Sequence, residues 1–306
     1  MFPFKNVQKP QLFSLKNYVC LSFLLFAACS APQSPTQETA NSLTITDDLG
    51  TKMTLKHAPR KTLALSPAMT EMLFAVCADS QILAVTPHCN FPAATQTKPK
   101  IAVYPLNIEA IIAAKPDIVF TEEGITAPDN AEKLRSLGIA VYYQRYENVA
   151  DILRGLKDIG RLMQRETQAQ KLCDSLEQKI KVLEQNIPAK KEKVLAITWH
   201  NPIYAYGLNT FMTDKIRLAG GQNAVDTIFA KIYPELTREY ILKRNPDVLL
   251  GGSFGKMDST FFMLYPELKK INAYKNKRIY DLNDDLTSRP SPRVLESVEE
   301  IRNVLQ

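Results

Sequence analysis

No C-x-x-C pair occurs in this chain, so zinc ribbons and dithiol redox motifs have no support. Five cysteines are present, and only Cys77, Cys89 and Cys173 follow Cys29. A Cys77–Cys89 bridge stays open in an oxidising compartment, while a small buried apolar side chain is the plainer role for each. Histidine is scarce too, at three residues. A receptor for free zinc or manganese needs three or four His and carboxylate ligands converging, which so few histidines make a poor fit. Neither a Walker-type phosphate loop nor a G-x-G-x-x-G turn appears, so nucleotide chemistry is unsupported. A strong charge of one sign is also missing. The net charge is +6, and three of the lysines behind it, Lys5, Lys9 and Lys16, lie in the first 28 residues. So mild a charge does not argue for a nucleic-acid partner.

What is present begins with an export signal. A basic stretch leads into "YVCLSFLLFAAC", Tyr18 to Cys29. That run is shorter than the ~20 apolar residues of a membrane-spanning helix and fits a signal-peptide core. Ala27 and Ala28 precede Cys29, so "FAAC" resembles the lipobox of bacterial lipoproteins, with Phe26 where Leu is usual. The expected boundaries are a signal segment over 1–28, a lipidated Cys29, and a Ser/Pro/Thr/Gln-rich tether over 29–42. This places the chain in the periplasm or cell envelope, attached to a membrane through the lipid alone.

Beyond the tether, hydropathy alternates between two periods. "LTITDDLGTKMTL" reads as a β-hairpin and "KTLALSP" as a short buried strand. "SPAMTEMLFAV" opens a helix, with Ser66 as N-cap and Pro67 at the first helical position. "SQILAVT", "PDIVF" and "IAVYYQ" read as strands, interleaved with helices in "NIEAIIAAK" and "NAEKLRSLG". From Val149 to Asn186 the pattern is helical, with Ala169, Leu172, Leu176, Ile180 and Leu183 spaced by three or four. Strand–helix alternation then resumes to the end. The predicted class is α/β: two Rossmann-like lobes with mostly parallel sheets, 43–160 and 189–306, joined by one long rigid helix over 161–188.

One phrase is written twice. "NIEAIIAAKPDIVF", Asn107 to Phe120, and "TREYILKRNPDVLL", Thr237 to Leu250, align without a gap. Pro116 and Pro246 each stop a helix, and a buried strand follows. Any α/β protein could reuse such a joint. The glutamates are a separate matter. Glu109 and Glu239 each fall two residues inside their helix, where a carboxylate favours the helix dipole by about 0.3–1 kcal/mol. The alternative is that two like lobes present one carboxylate each to a symmetric partner.

"TLALSPAMTEMLFAV", "LAVTPHCNFP", "NIEAIIAAKPDIVF", "LRSLGIAVYY" and "SRPSPRV" together resemble the periplasmic binding proteins of iron-siderophore, haem and cobalamin ABC importers. The resemblance runs from about Leu43 to the C-terminus, and the cobalamin-binding members are most alike. It implies two lobes with the ligand between them, no catalysis, no resident cofactor, and a monomer that works with a permease dimer and its ATPase subunits. It implies that Glu109 and Glu239 dock against permease arginines. It also implies a ligand site at Ala68, His88, Tyr104 (or its neighbour Val103), Glu122, Tyr233, Asp285 and Arg289. His88 and Glu122 stand where the cobalamin protein has aromatics. Trp199, Tyr204, Tyr206 and Phe254 could supply flat surface for a corrin ring. Cobalamin or another corrinoid is the expected cargo, and a ferric siderophore or haem is the alternative.

An envelope α/β hydrolase is the competing class. "GGSFG", Gly251 to Gly255, matches the G-x-S-x-G nucleophile elbow around Ser253. The hydrolase order runs Ser, acid, His, and no histidine follows His200, so Ser253 lacks a base. His57 lies in a surface-like turn. His88 and His200 each follow a strand and so are candidate hydrogen bonders at the cleft.

Overall fold

The computed structural model describes residues 42–252 and 257–306. The signal segment, the lipidated Cys29, nearly all of the tether, Ser253 and Phe254 lie outside the described residues.

The chain opens with the antiparallel hairpin β1 (Leu43–Thr46) and β2 (Lys52–Leu55). The first lobe follows: β3 (Thr62–Ala64), α1 (Pro67–Val76), α2 (Ile108–Ala114), β4 (Ile118–Glu122), α3 (Pro128–Ser136) and β5 (Val141–Gln144). Its three strands form a parallel sheet in the order β3-β4-β5. Every residue of β4 and β5 is buried, as strands covered on both faces require. Ser66 caps α1 by accepting from the Met69 N–H at 2.9 Å. The strand expected in "SQILAVT" does not form. A 3-10 turn takes Asp79–Gln81, and only single bridges at Ile82 and Val85 remain, so the segment borders the sheet without a continuous ladder.

Two helices connect the lobes. The first, α4 (Val149–Leu162), starts from a capping box: the Asn148 side chain accepts from Asp151 N–H, and the Asp151 carboxylate accepts from Asn148 N–H. Gln164, at φ +53, turns the chain into α5 (Glu166–Gln185). A Cβ on Gly160 would sit 2.5 Å from the Ala169 Cβ, so the crossing of α4 and α5 depends on glycine there. The buried residues of α5, Ala169, Cys173 and Leu176, are three or four apart, giving one apolar stripe. The helix packs on α1 and α4 and also on helices of the second lobe.

The second lobe contains β6 (Lys193–His200), β7 (Ile203–Ala205), α6 (Phe211–Ala219), β8 (Gln222–Asn223), α7 (Arg238–Arg244) and β9 (Val248–Gly251). It continues through α8 (Ser259–Leu264), α9 (Asn272–Lys275), β10 (Ile279–Asp281), α10 (Asp284–Thr287) and α11 (Val294–Leu305). The sheet order is β10-β9-β6-β7, with β8 also on β6. The pairings β10–β9, β9–β6 and β6–β8 are parallel, and only β7 runs antiparallel.

The doubled phrase is a structural repeat. β3-β4-β5 corresponds to β6-β9-β10, and α2–β4 corresponds to α7–β9. Asn107 and Thr237 cap the two helices through their side chains. Lys115 and Asn245 end them in the left-handed region, at φ +51 and +45. The Asp117 carboxylate accepts from the Arg60 and Lys61 N–H groups at 2.8 and 2.9 Å, holding the start of β3. The Asp247 carboxylate accepts from the Lys193 N–H at 3.0 Å, holding the start of β6 in the same way. The aspartate of each joint therefore fixes the entry of the neighbouring strand.

One apolar cluster joins both lobes, taking in Met69, Met72 and Phe120 from the first and Val194, Ile216 and Val298 from the second. Lobes that share a core cannot separate without exposing it.

Candidate ligand-binding cleft

The parallel strands β4 and β5 of the first lobe end at a region faced by loops of the second lobe, the kind of place where open α/β sheets bind ligands. Two cavities lie there, of about 260 and 70 Å³. They share Glu123, Asn209 and Ile232, so they are parts of one cleft. The first lobe contributes Glu122, Glu123, Gly124, Arg145 and Tyr146, from the ends of β4 and β5. The second contributes Gly207, Asn209, Thr210, Ile232, Tyr233, Ser288 and Pro290.

Of the sequence-predicted positions, Glu122 and Tyr233 line the smaller cavity. Glu122 is only 3% exposed, and its Oε2 has no hydrogen-bond partner among the described residues. Burial pushes its carboxyl up to about 8. The nearby Ser66 hydroxyl pulls the other way, Glu71 adds to the rise, and Arg289 opposes it. Tyr233 packs edge-on against Tyr206, with ring centres 5.5 Å apart. Its ring edge also lies beside Gly124.

Asp285 and Arg289 belong to a network that crosses the lobes. Arg289 donates to Glu71 Oε1 and to Asn90 Oδ1, both at 2.8 Å, and pairs with Asp285. The Asn90 amide donates to Asp285. Arg293 closes the network on Glu71 and lies over the Phe91 ring, 4.2 Å from its centre. Asp285 sits on α10, whose C-terminal carbonyls at Leu286 and Thr287 accept from the buried Lys215 ammonium at 2.9 and 3.0 Å.

The other predicted positions lie outside both cavities. Ala68 is buried on α1. His88 is exposed in the turn before Cys89, and Tyr104 is 98% exposed. Trp199 is half-exposed at the end of β6, stacked on His200 and donating its indole N–H to Asn201 O at 2.9 Å. Cys77, Cys89 and Cys173 are free thiols, so the bridge left open above is absent. Cys89 instead contacts the Thr70 and Thr86 hydroxyls, and burial pushes the Cys77 thiol up to about 12. Among the described residues no cluster of His, Cys, Asp and Glu could hold a metal ion.

Sequence reasoning missed Glu71, Asn90, Glu123, Arg145 and Asn209. Glu123 and Arg145 directly follow strand ends, a signal that was readable. Glu71 gave another: it interrupts the apolar face of α1.

Two α/β lobes thus share a core and line a common cleft, a form suited to holding a ligand. A family model described as periplasmic binding protein matches residues 63–286, and the chain belongs to that family. Members of the family bind ligands and do not catalyse reactions. The chain is 25% identical over 295 residues to YvrC, an ABC transporter substrate-binding lipoprotein of Bacillus subtilis, covering 92% of this chain and 93% of that one. It is 26% identical over 255 residues to the vitamin B12-binding protein of Salmonella typhi, covering 81% and 91%. A crystal structure of a possible iron-binding periplasmic solute-binding protein from Staphylococcus epidermidis superposes with a TM-score of 0.69 at 29% identity, covering 81% and 99%. Among the described residues no helix is long and apolar enough to cross a membrane.

Proposed function

We propose that this protein is the lipid-anchored substrate-binding subunit of an ABC importer, and that it captures cobalamin or another corrinoid and passes it to the permease. The balance of charge in the cleft carries the choice of ligand. Arg289 is already matched by Glu71 and Asp285. The charged side chains lining the larger cavity are Glu123, Arg145, Glu147 and Lys231, two of each sign, and Arg145 pairs with Glu123 at 3.1 Å. An anionic ferric catecholate, or the propionates of haem, would call for surplus positive charge there. A corrinoid rimmed with neutral amides asks for hydrogen-bond donors and acceptors, which Asn209, Thr210, Tyr233 and Ser288 supply. The macrocycle exceeds the cavity volumes, so it lies across their mouth with rim amides reaching down. The vitamin B12-binding relative supports the same choice. The S. epidermidis likeness favours the alternative, a ferric siderophore or haem.

Delivery uses Glu109 and Glu239. Both are exposed at equivalent positions of α2 and α7, and neither makes an ion pair among the described residues. Cys29 carries the lipid that keeps the protein at the membrane. Titration calorimetry of the protein lacking residues 1–29 with cyanocobalamin, haemin and ferric siderophores tests the ligand. Tight binding of cyanocobalamin is expected. A ferric chelate binding tightly where cobalamin does not bind at all overturns the choice.

A further inference from the structure

Glu122 is the last residue of β4, nearly sealed from solvent, with one carboxyl oxygen lacking a partner among the described residues and the smaller cavity against it. We propose that Glu122 meets the ligand as an uncharged carboxylic acid, its O–H donating a hydrogen bond to an amide carbonyl of the ligand. The inference rests on the corrinoid reading for the acceptor and on this chain's own packing for the protonation state.

A buried carboxylate needs a counter-charge or several donors, and otherwise it keeps its proton. The groups facing Glu122 supply neither. Arg289 is the cation beside it, but its guanidinium is engaged by Glu71, Asp285 and Asn90. Glu71 on α1 is itself a carboxylate and opposes ionisation. Glu123, next in the chain, adds a second acid and pairs with Arg145. The phenols of Tyr143 and Tyr233 are each pushed up to about 12, chiefly by burial, and burial also raises Tyr146 well above the ordinary phenol range, so all three stay neutral over the working range. The Tyr146 hydroxyl is spent on the Gln144 side chain, and the Tyr143 hydroxyl on Thr126 O. The Ser66 hydroxyl accepts from the Met69 N–H and keeps its own O–H for Glu122, a single donor where a buried anion needs several. The carboxyl oxygen without a partner among the described residues belongs to a side chain lining the cavity, and a ligand carbonyl there would accept the acid's proton.

The consequence is a pH dependence of defined sign. With the carboxyl raised to about 8, the donor is present at neutral pH and is lost above it. The test measures cyanocobalamin affinity from pH 6 to 9.5 in the wild type and in Glu122→Gln, whose amide keeps an N–H donor and cannot ionise. Wild-type affinity should fall roughly tenfold between pH 7 and 9, while Glu122→Gln stays within about twofold across the range. A wild-type profile that is flat, or that tightens as pH rises, overturns the proposal. If cyanocobalamin binds at no pH, the corrinoid reading fails, and the comparison is repeated with ferrichrome, a neutral ferric trihydroxamate with amide carbonyls. If neither probe binds, the apo proteins decide. Glu122→Gln should gain melting temperature relative to wild type as pH rises from 5 to 8, because only the wild type must hold a proton the unfolded chain has released. A gap that does not widen overturns the uncharged acid.

Discussion

Arg293 holds Glu71 by two hydrogen bonds, Nε to Oε2 at 2.9 Å and Nη2 to Oε1 at 2.7 Å, joining the start of the last helix to the first helix. Arg289 adds a third bond to the same carboxylate at 2.8 Å. Glu71 is buried and is the carboxylate that Arg293 pairs with, while Arg289 also keeps Asp285. Replacing Glu71 by Ala takes the ion-pair partner from the half-buried Arg293 and one of two from Arg289, which keeps Asp285. Breaking a buried pair from one side costs about 3–5 kcal/mol. Urea denaturation should show a loss of that size for Glu71→Ala. Glu71→Ala with Arg293→Ala should lose less than the sum of the single losses, because the two share one interaction. Full additivity would mean that the bonds contribute nothing to stability.

Lys215 should make stability depend on pH in the opposite sense to Glu122. It is fully buried, and burial pulls its ammonium down to about 7. Between that value and the ordinary lysine range the unfolded chain holds a proton that the folded chain has released. Stability therefore rises with pH through this window, by at most about 1.4 kcal/mol per unit. Lys215→Met loses the two bonds to the carbonyls of α10, so it is destabilised at every pH. Its deficit relative to wild type should grow from pH 7 to 9.5 and stay constant below 7. A deficit independent of pH would mean that Lys215 stays charged in the fold.

The Pro-Asp half of the repeat is a stability element, and its two copies should behave alike. Asp117 accepts two backbone N–H groups, and Asp247 accepts one together with the Asn272 amide at 2.9 Å. Each anchors a strand at the start of a three-strand unit. Asp117→Ala and Asp247→Ala leave those donors without their carboxylate, at about 1–3 kcal/mol apiece. Equilibrium unfolding should report losses in that range for both. A loss confined to one copy would show that the duplicated joint has kept its mechanical role in one lobe only.

Much of the fold was legible because local rules and packing agree along most of the chain. Ser66–Pro67 starts a helix as its chemistry requires, and the Pro-Asp joints end helices and open strands in both lobes. The exception is "SQILAVT", where alternation suggested a strand, but the sheet edge accepts single bridges and the segment's first residues turn into a 3-10 helix. The cleft was legible only in part. Glu122 and Tyr233, positions carried over by the resemblance, line the smaller cavity. Glu71 with Arg293 was not legible, because residues 222 positions apart meet through tertiary packing that no local pattern encodes. Tyr104, another position carried over by the resemblance, is 98% exposed and lines neither cavity.

Glu109 and Glu239 divide from the aspartates in what they should change. Both are exposed on the first turn of short capped helices, and neither has an ion-pair partner among the described residues. As helix-start carboxylates they stabilise by about 0.3–1 kcal/mol each, less at physiological salt. In the proposed role, as handles for a permease with a two-fold axis, they would steer encounter and fix orientation through arginine pairs. Glu109→Ala with Glu239→Ala should therefore keep the melting temperature and ligand affinity close to wild type, while uptake through the reconstituted importer falls by tenfold or more. Glu109→Lys with Glu239→Lys should fall further, since like charges would then face the arginines of the proposed docking surface. Raising salt should slow wild-type association with the permease and leave the alanine variant nearly unaffected. Unchanged uptake in both double variants would reduce the two glutamates to helix-start residues, and the repeated phrase would then serve the fold alone.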